Sequence, residues 1–224
     1  IVGGADKSTL SADQFRSREF DFMISNPPYG KSWKTDLDRM GGKKEFSDPR
    51  FIVNHGGDAE FKLITRSSDG QLMFQVNKLQ KMKHNTPLGS RIALVHNGSA
   101  LFTGDAGQGE SNIRRWVLEN DWLEAIIALP LNIFYNTGIA TYIWVLANRK
   151  PAARRGKVQL IDASQWFQPL RRNLGKKNCE LAESHIQRIL DLYLGEAQET
   201  AKETEQSKWF DTQDFGYWKI TVER

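Results

Sequence analysis

The tetrapeptide Asn26-Pro27-Pro28-Tyr29 holds the side chains with the clearest chemical potential in this chain. The Asn26 side-chain carbonyl can accept a hydrogen bond from an exocyclic amino group. The rigid Pro-Pro unit fixes the backbone, so that the Pro27 carbonyl can accept a second one from the same group. Two acceptors on one amine localise its nitrogen lone pair for attack. Tyr29 offers a flat face on which a planar ring can stack, a contact worth about 1–3 kcal/mol.

The surroundings of the tetrapeptide favour this chemistry over a simple turn, for which Asn-Pro is also a signal. Residues 20–25 are mostly apolar and predict a short buried strand, which must end at two prolines that cannot donate to a sheet. Open α/β sheets bind ligands beyond the carboxyl ends of their strands. The tetrapeptide is therefore predicted to lie where such a sheet binds its ligand.

The remaining pattern alternates between strands and helices. Helical spacing of apolar residues predicts helices over 72–82, 112–120 and 181–192, and apolar runs predict strands over 91–95, 123–129, 141–146 and 157–161. The connection between the last two strands is too short for a helical crossover, which favours an antiparallel pair at one edge of an α/β sheet. Residues 1–19 are expected to form a loop or a frayed lead-in, and residues 31–68 a long surface excursion.

Composition excludes several classes of protein. The chain has 224 residues, 39% hydrophobic and 26% charged, with a net charge of +4, which suits one sizeable globular core. No apolar run approaches the roughly 20 residues of a membrane helix, and no signal peptide is recognisable. The single cysteine, Cys179, excludes an internal disulfide framework. These features predict a soluble, intracellular protein, and its charge permits a nucleic-acid partner without arguing for one.

Over nearly its whole length the chain resembles the modification (methyltransferase) subunits of type I restriction-modification systems. The likeness is carried by residues 20–30, 68–74, 91–104, 109–115, 123–130, 134–144 and 214–224. The resemblance implies a site-specific, adenine-specific DNA methyltransferase, with S-adenosyl-L-methionine as methyl donor and N6 of a flipped-out adenine as acceptor. It also implies that Asn26, Pro27, Pro28 and Tyr29 are the catalytic residues.

The resemblance further implies the architecture and the partners. Residues 1–166 would form the C-terminal half of a Rossmann-like methyltransferase sheet with an antiparallel hairpin edge, and residues 167–224 a helical C-terminal extension. The expected partners are DNA, a specificity subunit, a second modification subunit and a restriction subunit, in the cytoplasm of a prokaryote. No membrane partner is expected.

Other candidate residues lie near the predicted sheet edge. His96 and Asn97 end a predicted strand beside Asn26 and are expected to line the cleft. The loop over 104–109 is glycine-rich but lacks the Gly-Lys-Ser/Thr ending of a phosphate-binding loop, so a flexible loop at the border of the cleft is expected. The histidines show no metal-ligand spacing, and no metal is expected.

A basic cluster follows the last predicted strand of the sheet. Arg171 and Arg172, with Lys176 and Lys177, have the charge to meet DNA phosphates. A solvated surface run explains the same residues equally well. The sequence leaves these two interpretations open.

Two further functions remain open, and one is excluded. The tetrapeptide also suits a methyltransferase that acts on a glutamine side-chain amide or on RNA, and the chain could be a non-catalytic fragment that binds partners. The first four residues, Ile-Val-Gly-Gly, match the mature start of trypsin-like proteases. Ala106 stands where those enzymes need their nucleophilic serine, which excludes that class.

The first prediction concerns the methyl donor. In the family that the chain resembles, a glycine-containing loop after the first strand binds the donor upstream of the catalytic tetrapeptide. Only 25 residues precede Asn26, whereas a strand, a loop and a helix need roughly 30. We therefore expect this chain alone to bind no S-adenosylmethionine in isothermal titration and to methylate no DNA. A clear micromolar binding heat would contradict this and would point to the loop over 104–109.

Overall fold

The computed structural model describes residues 8–195 and 204–222, so the match noted for residues 1–4 and residues 196–203 of the predicted C-terminal extension lie outside it. The α-helices are α1 Lys34–Arg39, α2 Gln71–Leu79, α3 Ser99–Phe102, α4 Gly109–Glu119 and α5 Glu183–Gly195. The first five strands are β1 Phe22–Ser25, β2 Ile52–His55, β3 Asp58–Lys62, β4 Arg91–Asn97 and β5 Leu123–Ala128. The other five are β6 Thr141–Ala147, β7 Lys157–Asp162, β8 Gln168–Leu174, β9 Lys177–Glu180 and β10 Ser207–Asp211.

The main sheet of the described residues has six strands in the order β1-β4-β6-β5-β7-β10. β1 runs parallel to β4 and β5 parallel to β7, whereas β6 is antiparallel to both β4 and β5. This confirms the predicted α/β class. The predicted pairing of β6 with β7 is wrong, because β5 lies between them. β5 forms hydrogen-bonded ladders with both of them, antiparallel to β6 and parallel to β7.

The two edges of the sheet also differ from the prediction. The consecutive antiparallel pair β5 and β6 lies inside the sheet and forms no edge, while β10 pairs with β7 at one edge and β1 lies at the other. β1 is not the predicted buried strand: Phe22 is 66% and Ile24 87% exposed, whereas Met23 packs against the core. Alternate residues of a strand face opposite sides, so a continuous apolar run does not ensure that both faces are covered.

The segment over 31–68, predicted as a surface excursion, is packed into the domain. It holds α1 and the antiparallel hairpin of β2 and β3. Its aromatic and aliphatic side chains join the core under α2 and α4, among them Trp33, Leu37, Phe51, Phe61 and Leu63. The charged residues and glycines that suggested a loop lie between these buried positions and cover the outside of the segment.

The described part of the lead-in, residues 8–19, is docked and not frayed. The Asp13 carboxylate lies 2.6 Å from the Lys81 ammonium, and Arg50 donates hydrogen bonds to the carbonyls of Thr9 and Leu10. Burial is the largest single influence on the pKa of Asp13 and would raise it. The hydrogen bonds from Lys81 and the Phe15 amide and the charges of Lys81 and Arg50 together outweigh burial and hold the pKa below its ordinary value. The polar residues of this segment therefore serve as anchors.

The C-terminal segment over 167–224 is only partly the helical extension that was predicted. The predicted helix is present as α5, and it packs against the sheet face that carries Ile127 and Ile161. The same segment also contains the β8–β9 hairpin, and β10 adds a strand to the main sheet. Charged residues in these short strands hid them from a search for apolar runs.

A buried ionic network holds α5 and the start of three strands together. The Glu124 side chain is 1% exposed and accepts hydrogen bonds from the Tyr193 hydroxyl at 2.9 Å and from Arg91 at 3.2 Å. The Arg154 guanidinium, itself 3% exposed, lies 3.6 Å from the same carboxylate. Arg154 also donates to the Tyr193 carbonyl and lies 4.8 Å above the Trp209 ring. One buried carboxylate thus balances two cations, of which Arg154 is buried and Arg91 is 42% exposed.

We expect Glu124→Ala to lower the free energy of unfolding by about 3–5 kcal/mol, because it removes the buried carboxylate that lies beside the buried Arg154 guanidinium. Urea unfolding of the purified chain measures this. Glu119→Ala is the matched control, since its carboxylate is 45% exposed beside Arg115 and should cost no more than about 1 kcal/mol. Equal losses in the two variants would show that the buried Glu124 network stabilises the fold no more than an exposed ion pair does.

Candidate active site

The candidate site is built where two parallel strands end. β1 and β4 are parallel neighbours, with Ser25 opposite Leu94, so the residues that follow them lie at one edge of the sheet. Asn26 follows β1 directly and is exposed, whereas the Pro27 ring is buried. Within residues 8–195 and 204–222, the Asn26 side chain makes no hydrogen bond. Its carbonyl oxygen is therefore free to accept one from a ligand.

The chain after the tetrapeptide is held in place by backbone and side-chain contacts to residues 66–70. The Gly30 amide donates to Asp69 Oδ1 at 3.2 Å. The Trp33 amide donates to the Ser67 carbonyl at 3.0 Å, and the Trp33 indole Nε1 donates to the Arg66 carbonyl at 2.9 Å. The tetrapeptide is thus fixed by β1 on one side and by this pairing on the other.

Asp69 also joins the tetrapeptide to the end of β4. Its Oδ2 accepts hydrogen bonds from Gln71 Nε2 at 2.7 Å and from the Ser99 hydroxyl at 3.2 Å. The same Gln71 amide donates to Asn97 Oδ1 at 2.7 Å. Asn97 therefore lies at the predicted edge, within a hydrogen-bonded cluster. Sequence reasoning did not identify Asp69 as a site residue, because residues 69 and 70 indicated only the start of a helix. The one further indication was that both lie within residues 68–74, a stretch that carries the family resemblance.

His96 does not line the cleft, contrary to the prediction. It is fully buried beneath the site, where Nδ1 lies 3.1 Å from Gln71 Oε1 and Nε2 lies 2.8 Å from Gln75 Oε1. Its ring packs edge-on against Trp144, with 5.3 Å between centroids. Burial, with a smaller contribution from the nearby Lys78 charge, lowers the pKa of His96 to about 3. A neutral imidazole thus supports the cluster from inside, because alternation along β4 turns this residue to the covered face.

Tyr29 is half-buried and faces the connection between β5 and β6, residues 129–140. Burial raises the pKa of its hydroxyl, and a side-chain hydrogen bond with Thr137 partly offsets that rise. This contact brings Thr137 to the site, a residue to which sequence reasoning assigned no role. The connection contains no charged residue, so the wall beside Tyr29 is uncharged.

The glycine-rich loop over 104–109 does not form a cradle for a nucleotide-like ligand. A Cβ atom at Gly109 would lie 1.7 Å from the Ile64 carbonyl oxygen, so the close approach that glycine allows there is used by the chain itself. The Glu110 carboxylate, at the start of α4, accepts a hydrogen bond from the Arg66 amide. These residues do not suit the binding of S-adenosylmethionine, and the loop packs against the same 64–66 segment that holds Trp33.

Arg171 and Arg172 lie on β8, outside the cluster formed by Asn26, Tyr29 and Asn97, and both are exposed. Among the described residues no group of three or more His, Cys, Asp or Glu side chains is arranged to hold a metal ion. No helix in the described part of the chain is long and apolar enough to cross a membrane.

Comparison with known proteins gives one consistent family. Residues 3–215 match the family described as N-6 DNA Methylase. The methylase subunits of type I restriction enzymes MjaIX and MjaVII from Methanocaldococcus jannaschii are 28% and 32% identical over 81% and 78% of this chain. The chain spans 29% and 27% of the lengths of those two proteins.

A solved structure shows the same architecture. The methyltransferase subunit of a type I restriction-modification system from Streptococcus thermophilus is 26% identical and superposes with a TM-score of 0.69. The match covers 93% of this chain and 38% of that one. The sheet described above is therefore part of a Rossmann-like methyltransferase fold.

We expect the buried His96 to make the protein less stable in mild acid. Its folded pKa is about 3 against an ordinary 6.5, so between these values only the unfolded chain binds the proton, and stability falls as pH falls. Between pH 7 and 5 the loss attributable to His96 is about 2 kcal/mol. Urea unfolding at both pH values should show a smaller loss in His96→Gln than in the unaltered chain. His84→Gln, which changes an exposed histidine, is the control and should keep the full loss.

Proposed function

Because this chain belongs to the N-6 DNA Methylase family, we propose that Asn26, Pro27, Pro28 and Tyr29 form the catalytic motif of a site-specific DNA methyltransferase that modifies N6 of adenine. The observation that carries this proposal is the position of Asn26, exposed and without a hydrogen-bond partner among the described residues at the carboxyl edge of two parallel strands. An exposed side-chain amide at a turn that is held by its neighbours is suited to bind an amino group. A simple turn would not need the support of Asp69.

The proposed chemistry rests on two acceptors. The Asn26 side-chain carbonyl and the Pro27 backbone carbonyl accept the two N–H bonds of the adenine amino group, which draws the nitrogen lone pair out of conjugation with the ring. The nitrogen would attack the methyl group of a sulfonium donor, so that the N–C bond forms as the S–C bond breaks and a neutral thioether leaves. The methylated amine would then lose its N–H proton to solvent. Neither a metal nor a strong base is needed. The burial of the Pro27 ring keeps the two acceptors at a constant separation.

Tyr29 is proposed to stack on the adenine after the base has left the duplex. Its ring is half-buried beside the uncharged connection over 129–140, so a planar apolar base can lie against it without displacing charged groups. The Thr137 side chain lies beside the Tyr29 hydroxyl. A stacked base would present its amino group to the acceptors at Asn26 and Pro27.

The methyl donor is proposed to be S-adenosylmethionine, whose sulfonium supplies an activated methyl group. The glycine-rich loop over 104–109 does not supply the donor cradle, since Gly109 packs against Ile64. We therefore propose that the donor is held by protein outside these residues and that the chain alone is inactive. The curated relatives, which this chain spans by less than a third, are named as methylase subunits of type I restriction enzymes.

By analogy with those relatives, the full-length protein is proposed to work in a type I restriction-modification complex. Its partners would be DNA, a specificity subunit, a second modification subunit and a restriction subunit, in the cytoplasm of a prokaryote where the DNA is accessible. The alternative substrates, a protein glutamine or an RNA base, would use the same acceptors. Family membership favours DNA, and a labelled-methyl assay with unmethylated DNA, RNA and protein acceptors separates the three.

In the full-length enzyme, Asn26→Ala should abolish methyl transfer to unmethylated DNA while donor binding stays nearly unchanged, because Asn26 contacts the amine and not the donor. Transfer of a tritiated methyl group and isothermal titration of the donor measure the two effects. Comparable methyl transfer by this variant would show that Asn26 is not a catalytic residue.

Tyr29→Phe should retain methyl transfer and Tyr29→Ala should lose it, since stacking needs the ring. Equal loss in the two variants would instead assign a role to the hydroxyl.

A further inference from the structure

The β8–β9 hairpin begins just beyond the carboxyl end of β7. β7 runs in the same direction as β1, because both are related through β5, β6 and β4 by the pairings of the sheet. The end of β7 at Asp162 therefore lies at the same edge as Asn26. The hairpin leaves the sheet from this edge, and it has no strand partner in the main sheet.

The tip of the hairpin contacts the wall of the candidate site. A Cβ atom at Gly175 would lie 2.2 Å from Asn136 Oδ1 and 3.2 Å from the Tyr135 ring, so the tip is pressed against the connection over 129–140. The Asn178 amide donates to the Asn132 carbonyl at 3.2 Å, and the Cys179 thiol donates to the Leu131 carbonyl at 3.2 Å. The hairpin is therefore attached to the segment that carries Thr137, the partner of Tyr29.

The charge of the hairpin is strongly one-sided. Residues 167–180 contain four basic side chains, Arg171, Arg172, Lys176 and Lys177, and one acidic side chain, Glu180. Arg171, Arg172 and Lys176 are exposed, and none of the four basic groups forms an ion pair with another described residue. Exposed cations that the protein does not neutralise attract an anionic partner.

We propose that the β8–β9 hairpin is a DNA-backbone clamp that holds phosphates next to the base presented to Tyr29. This inference rests on the proposed function and assigns a surface to its substrate. The uncharged connection over 129–140 suits the apolar ring of a nucleotide. The basic β8–β9 hairpin beside it suits the anionic backbone. The contacts to Leu131 and Asn132 attach the hairpin directly to this connection.

The clamp is proposed to contact phosphates and not to read sequence. Arginine and lysine side chains with no fixed partner contribute mainly through counter-ion release, which depends on charge and not on base identity. An acidic protein could meet the same charges, but the position of the hairpin beside the Tyr29 site favours a polymer whose base can reach that site. The two partners are distinguished by the experiment below.

The experiment measures binding of a fluorescein-labelled, random-sequence DNA duplex to the purified chain by fluorescence anisotropy over a range of NaCl concentrations. The test variant is Arg171→Ala with Arg172→Ala. Its matched control is Arg155→Ala with Lys157→Ala, which removes two exposed positive charges near the start of β7, at the opposite edge of the sheet. Neither pair contributes to the buried core, so both variants should fold, and circular dichroism verifies this.

The test variant should lower the slope of log affinity against log salt by about 2, since each lost phosphate contact lowers it by about 1. With affinity at 1 M salt unchanged, this corresponds to a roughly 30-fold loss at 0.15 M salt. The control should keep the slope of the unaltered chain. Equal slopes in all three proteins, equal losses in both variants, or no duplex binding by the unaltered chain at low salt would each overturn the clamp.

Two further measurements separate the alternatives. Poly-glutamate titrated in the same assay tests an acidic protein partner. If binding of poly-glutamate depends on Arg171 and Arg172 while binding of the duplex does not, the clamp assignment is overturned. Methyl transfer to unmethylated DNA by the full-length enzyme carrying Asn26→Ala tests the proposed function separately, because the clamp assay measures only duplex binding by the purified chain.

Discussion

The Asp69 carboxylate is the interaction on which the candidate site depends. It accepts hydrogen bonds from the backbone amides of Gly30 and Gln71, from the Gln71 side chain and from the Ser99 hydroxyl. An ionised carboxylate offers about four acceptor positions, so its capacity is filled. Through these bonds one side chain connects the chain after the tetrapeptide, the first turn of α2 and the residues after β4. Such convergence holds Asn26 at a defined position, although the Asn26 side chain itself has no hydrogen-bond partner among the described residues.

Buried polar groups support both ends of the sheet. At the carboxyl edge, neutral His96 lies between two glutamine amides beneath the site. At the opposite edge, Glu124 on β5 pairs with Arg91 on β4, although β6 lies between these two strands. A buried carboxylate requires its cations, so this pair disfavours any strand order that separates β4 from β5 further. Apolar burial supplies stability, and these polar contacts supply specificity of arrangement.

The surroundings of the tetrapeptide consist of an uncharged surface, the connection over 129–140, and a charged one, the β8–β9 hairpin. The connection over 129–140 carries no charge, whereas the hairpin packed on it carries four basic side chains. Charged groups near a half-buried ring would lose hydration when a base covered them, at a cost that neutral residues avoid. Separating the two kinds of surface lets one region hold an apolar ring while the other remains solvated until it meets an anion.

Local patterns in the sequence determined the features that depend on neighbouring residues. The strand before Asn26, the helices α2, α4 and α5 and the strands β4 to β7 follow from periodicity over a few residues, and the tetrapeptide after a strand indicated the edge where a ligand would lie. Resemblance of the residues around Asn26 to a known family agreed with the family match over residues 3–215.

Contacts between distant residues decided the rest. The place of β5 between β6 and β7, the exposure of Phe22 and Ile24 and the inward direction of His96 follow from which strands pair and which face a helix covers. Asp69 and Thr137 became site residues only because folding brought them to Gly30 and Tyr29. No local rule contains this information, since the free energy that selects such contacts comes from burial and hydrogen bonding across the whole sheet.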